Sequence, residues 1–121
     1  IRDKLVTGVQ TCALPILETG RRFPGIDLAL LPIGPAEPRT FMRKSHVGPE
    51  EAVQVFLDLG ARRVVPIHRD TFVSSSDAPG AALARFLAEA KSRSLPPDAV
   101  QVVGFGEQRV LVPAPAAADG H

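Results

Sequence analysis

The sequence predicts an α/β protein with helices packed on a sheet, in the element order β-α-β-α-β-β. Three observations carry this. Residues 26–33 (IDLALLPI) are a near-continuous apolar run, as a strand buried on both faces requires. Residues 48–60 (GPEEAVQVFLDLG) carry helix signals at both ends of an apolar stripe, and residues 64–67 (VVPI) then return to β-branched strand character. Strand and helix alternating along one chain argue for a layered α/β structure.

Taken in order, residues 6–16 (VTGVQTCALPI) resemble the conceptual translation of a common sequencing-library adapter. They are set aside with the rest of residues 1–17 as an artefact or non-native leader, as a fusion scar would be. The alternative is a genuine short strand with a buried Cys12. Residues 18–25 are polar and marked by Gly and Pro, which suits a helix end or connection. In the first strand Pro32 has no N–H to give, so the strand ends there or lies at an edge. Residues 34–38 (GPAEP) form a loop, and residues 39–47 form an irregular basic segment with Arg39, Arg43 and Lys44. Those charges are either a solvated surface or an anion site, since Arg offers a bidentate fork. Phe41 and Met42 are expected to anchor this segment to the core.

The best helix follows. Gly48 is its N-cap, and Pro49 fits the first position, where a missing N–H costs nothing. Glu50 and Glu51 favour the helix dipole. Ala52, Val53, Phe56 and Leu57 make the buried stripe, and Gly60 stops the helix. The second strand ends at His68. A polar loop (VSSSD, residues 73–77) leads to a helix over residues 79–94, with Leu83, Phe86, Leu87 and Ala90 buried and Asp77 or Ala78 as cap. Two strands, residues 100–105 and 109–112, close the order. Residues 113–121 are Ala- and Pro-rich and read as a disordered tail.

Composition excludes several classes. The 121 residues suffice for one small domain, and 45% hydrophobic content argues against disorder throughout. A net charge of +1 and Phe as the only aromatic leave neither the basic field nor the usual stacking platforms of a nucleic-acid binder. No apolar run approaches the roughly 20 residues of a transmembrane helix. One cysteine permits no internal disulfide, so a cytoplasmic location is expected.

The functional signal lies in LLPIG with EPRTFM (residues 30–34 and 37–42), HVGPEEAV (46–53) and PIHRDTF (66–72). In this order and spacing they resemble the C-terminal part of a metallo-β-lactamase-fold hydrolase. The likeness is to the type that hydrolyses N-acyl-phosphatidylethanolamine, with the ascorbate-phosphate lactonases further off. The resemblance covers roughly residues 18–111. It implies one αβ half of an αββα sandwich, lacking its partner layer, with an apolar sheet face exposed unless another segment or a second copy covers it; a homodimer through that face is one expectation. Residues 18–112 are then the C-terminal part of such a domain. The family's first metal motif, His-x-His-x-Asp-His, is not in the sequence.

The resemblance places His68 at the last metal ligand of a dinuclear site, and His46 where a histidine handles substrate or moves a proton. Read without it, a lone His at a strand end is more often a hydrogen-bonded structural residue, and His46 a solvated loop residue. Asp70 stands where relatives have glycine and is expected to cap or to pair with an arginine. Pro35-Ala36 and Arg69-Asp70 replace motif residues at the pocket edge, which leaves the substrate open.

The implied function is hydrolysis of a phosphodiester or ester bond in a small-molecule or lipid-like substrate. A water activated by metal, two Zn²⁺ ions in the full-length parent, would be the nucleophile. One histidine cannot hold a zinc ion that takes about four ligands, so this segment is expected neither to bind zinc tightly nor to turn over alone. The alternative is a non-enzymatic α/β interaction module.

Overall fold

The structure, a computed structural model, describes residues 10–113. The start of the adapter-like segment, the Cys12 side chain, the expected tail from residue 114 onward and His121 lie outside the described residues.

The element order is α1 (Gln10–Arg22), β1 (Leu28–Pro32), α2 (Arg39–Met42), α3 (Pro49–Leu59), β2 (Arg63–Ile67) and α4 (Ala81–Ser92). The α/β class stands. Helix α1 ends within residues 18–25, as the polar composition there suggests, and it replaces the alternative of a strand around Cys12. It packs against α3.

Strands β1 and β2 pair in parallel, from Leu28 opposite Arg63 to Pro32 opposite Ile67. A parallel pair needs a crossover, and α2 and α3 supply it. Pro32 is the last residue of β1, as its missing N–H demands, and Ile33 N–H closes the ladder on the Ile67 carbonyl at 3.1 Å.

The predicted burial of β1 on both faces is corrected. Its residues alternate, with Ala29 and Leu31 buried and Leu30 58% exposed. Ala29, Leu31, Ile33 and Val64 pack into one core with α3 and α4. On the opposite face Leu30 and Ile67 are exposed, whereas Val65, the register partner of Leu30, is buried.

The helix faces are also corrected in part. Val55 rather than Leu57 joins Ala52, Val53 and Phe56 in the core, and α4 buries Ala82, Phe86 and Ala90 while Leu87 is 40% exposed. Residues 82, 86 and 90 lie at i, i+4 and i+8, a narrow stripe in which two alanines bring α4 close to α3.

The two C-terminal strands do not form. Val100 makes a single parallel bridge to Val64, and Gln101 N–H donates to the Val64 carbonyl at 2.9 Å. Beyond this the chain leaves β2. The Arg69 guanidinium takes the Val103 carbonyl at 3.2 Å, and a turn follows in which Gly104 N–H donates to Glu107 Oε2 at 2.8 Å. The β-branched residues there have propensity but no partner strand, and propensity alone makes no ladder.

Candidate functional site

Because β1 and β2 are parallel, their C-terminal ends lie at the same edge. In open α/β sheets ligands bind in the crevice beyond that edge. The loop after β1 leads through α2 to His46, and β2 runs directly into His68. The two rings stand 5.8 Å apart, centroid to centroid, with planes tilted by 45°. Both sequence-predicted histidines are thus brought together, although residues 47–67, with α3 and β2, separate them in the chain.

His68 is exposed, with φ of 57°, a left-handed conformation sparsely populated by non-glycine residues. Such conformations cost about 1–3 kcal/mol and persist only where the surroundings over-determine them. Here the chain of LLPIG passes directly over it. A Cβ placed on Gly34 would lie 3.2 Å from the His68 carbonyl oxygen, so the glycine is what allows the two loops to meet.

Asp70 also has a positive φ, 56°. That accounts physically for a position where the family resemblance puts glycine, because Asp tolerates this region better than most residues. Its carboxylate accepts from Gly80 N–H at 2.8 Å and from Arg69 at 3.0 Å. These bonds hold its pKa below the ordinary carboxylate value. Of the two expected roles Asp70 takes the pairing one, with Arg69; helix α4 has no side-chain cap.

A cavity of about 270 Å³ opens beside His68, lined by Gly34, Pro35, the 68–75 loop, Asp77 and the start of α4. Asp77 does not cap α4 as predicted; Gly80 takes that place with φ of 76°. Its Oδ2 instead accepts from Ala36 N–H at 2.7 Å, Glu37 N–H at 3.1 Å and the Ser75 hydroxyl at 2.6 Å, tying the two site loops together. Burial pushes the Asp77 pKa up, but these donors and the Arg85 charge outweigh it and bring it down. Arg69, which also lines the cavity, lies over the Phe105 ring at 5.8 Å.

The basic segment is not an open anion site at Arg39. Its guanidinium pairs with Glu51 and donates to the His46 carbonyl at 3.2 Å. Arg43 and Lys44 are exposed. Met42 anchors the segment to the core as expected, whereas Phe41 is 70% exposed. Arg85 of α4 bridges Glu50 at 2.8 and 2.9 Å and Glu37 at 3.0 Å. Burial raises the Glu50 pKa, and the Arg85 bonds together with the Arg85 and Arg39 charges more than reverse that. The roles of Arg39, Asp77 and Arg85 are not legible in the sequence. The one available signal is Glu51 three residues after Gly48, the carboxylate half of a capping box, whose Oε2 accepts Gly48 N–H at 2.9 Å.

Among the described residues no group of three or more His, Cys, Asp or Glu side chains converges as metal ligands do. A catalytic zinc takes three protein donors and a structural one four. His68 suits a metal in kind, as an imidazole at a rigid strand end, but the donors present do not fit one in number.

The family model described as "Beta-lactamase superfamily domain" matches residues 7–69, more than half of the chain and inclusive of β1, both histidines and β2. The chain belongs to the beta-lactamase superfamily. Within it, the chain is 39% identical over 61 residues to N-acyl-phosphatidylethanolamine-hydrolyzing phospholipase D 1 of Caenorhabditis elegans, covering 50% of this chain and 17% of that protein. It is 40% identical over 53 residues to the mitochondrial N-acyl-phosphatidylethanolamine-hydrolyzing phospholipase D of Saccharomyces cerevisiae, covering 44% of this chain and 11% of that protein. The chain therefore spans less than a fifth of the length of these relatives. The parallel β1–β2 pair with its helices is a partial metallo-β-lactamase fold, and hydrolase-family membership follows from these likenesses.

Proposed function

We propose that this chain is the C-terminal part of a metal-dependent hydrolase that cleaves a phosphodiester or ester bond in a lipid-like substrate. The observation that supports it most is the meeting of His46 and His68 at the C-terminal edge of a parallel strand pair, beside a cavity. In this reading His46 lies against the substrate and transfers a proton or orients the scissile group. His68 would give one imidazole to a metal centre, and the remaining donors would have to come from other parts of the parent protein. The cavity, framed by Asp77, Asp70 and Arg69, receives part of the substrate. The chain by itself is inactive.

The test uses the product of the reading frame re-sequenced and extended upstream, with N-acyl-phosphatidylethanolamine as probe. Hydrolysis with stoichiometric zinc is expected. His68→Ala should lose metal, and His46→Ala should keep metal while losing about 10²–10⁴-fold in rate, the usual contribution of a general acid or base. An extended product that binds no metal and cleaves nothing sinks the proposal. The exposed Leu30 and Ile67 would then favour the other reading, an α/β interaction module.

A further inference from the structure

The His46 ring receives no hydrogen bond from any described residue, so its aim towards His68 is set by the backbone that carries it. That backbone is held by its own N–H, which donates to the Met42 carbonyl at 2.8 Å, and by one side chain. Arg39 Nη1 donates to the His46 carbonyl at 3.2 Å, and Nη2 pairs with Glu51 on the first turn of α3. The same Glu51 oxygen accepts Gly48 N–H at 2.9 Å. A Cβ on Gly48 would lie 3.3 Å from Arg39 Cζ, so the guanidinium lies directly under the 46–48 backbone with no room between. Arg39 is itself fixed at its base. Its N–H donates to Glu37 Oε2 at 2.9 Å, and Glu37 is tied through Arg85 to Glu50 of α3. The Arg39 side chain is about three-quarters buried, which limits the screening of its pair with Glu51.

We infer that Arg39 is a positioning residue: it clamps the His46 loop to the N-terminus of α3 and so determines that the His46 imidazole faces His68. The planar fork matters, because one donor must reach a carbonyl while another holds a carboxylate, and an ammonium group on a flexible stem does this less well. The inference rests on the reading that His46 serves the site, and it adds the device that orients it. The charged residues flanking it, Arg43 and Lys44, are exposed and take no part in the clamp.

The experiment is NMR of this chain with labelled histidine, measuring the cross-relaxation between the His46 and His68 rings, with the methyls of Val53 and Val64 as reporters of the core. The unsubstituted chain should show the ring-to-ring cross-peak. Arg39→Ala should lose it with the core methyl shifts unchanged, Arg39→Lys should recover it in part, and Glu51→Gln should weaken it. A cross-peak of full intensity in Arg39→Ala overturns the inference. So does its absence in the unsubstituted chain. Collapse of the core methyl shifts in both Arg39 variants overturns it too, since Arg39 would then serve the fold as a whole. None of these results bears on whether the extended product is a hydrolase, which is decided separately by turnover.

Discussion

Asp77 shows how much of the site depends on single polar side chains. One of its oxygens collects two backbone N–H groups and a hydroxyl from two different loops. Asp77, Asp70 and Glu50 all have pKa values below their ordinary ones in the folded chain, by hydrogen bonds and nearby guanidinium groups. A carboxylate whose folded pKa is depressed stabilises the fold above its unfolded pKa, and that stability is lost as pH falls through the folded value. The melting temperature is therefore expected to be level from about pH 7 to pH 5 and to fall below about pH 4, where free carboxylates protonate. Asp77→Asn should lower stability at pH 7 by about 1–3 kcal/mol, because the three donors converge on one oxygen and an uncharged amide oxygen accepts more weakly than a carboxylate. It should also flatten the acid slope. Thermal denaturation followed by circular dichroism across this range checks both, and an acid slope unchanged by the substitution contradicts the assignment.

At the scale of the element, capping chemistry and packing behave differently. The ends of α3 follow from its own residues: Gly48 and Pro49 start it, and Gly60 at φ of 64° stops it. The buried faces do not follow in the same way. Phe86 is fully buried while its neighbour Leu87 is 40% exposed, although both are large and apolar and adjacent on α4. Phe86→Ala should cost about 3–5 kcal/mol through lost contacts and a cavity. Leu87→Ala should cost under about 1 kcal/mol, since much of its surface is already in water. Denaturant unfolding of the two variants distinguishes them, and equal losses would place α4 in a different rotation.

Over the molecule as a whole, the sheet is covered fully on one face and only in part on the other, where Val65 is buried. Leu30 and Ile67 lie on that second face, and Phe72 and Val73 stand exposed in the loop after β2. An exposed apolar surface of this kind favours association. Leu30→Lys should reduce concentration-dependent association, read by sedimentation or light scattering, at a stability cost within about 0.5 kcal/mol. Equal association of both forms would remove this face as the cause. Among the described residues no helix is long and apolar enough to cross a membrane.

Features that depend on near neighbours are legible in the residues alone. The apolar run of β1, the capping of α3, the β-branched start of β2 and the spacing of LLPIG, HVGPEEAV and PIHRDTF all act within a few residues. They sufficed for the α/β class and for two histidines at loop positions. The tertiary structure decided everything set by residues distant in sequence. It decided that residues 100–112 find no strand to pair with, that β1 is buried on one face, and that Arg39 is spent on His46 and Glu51 rather than on an anion. The physical reason is the same in each case. Caps and periodicity are local properties of the backbone, whereas a ladder, a buried face or an ion pair exists only when a second segment arrives, and which segment arrives is fixed by the packing of the whole chain.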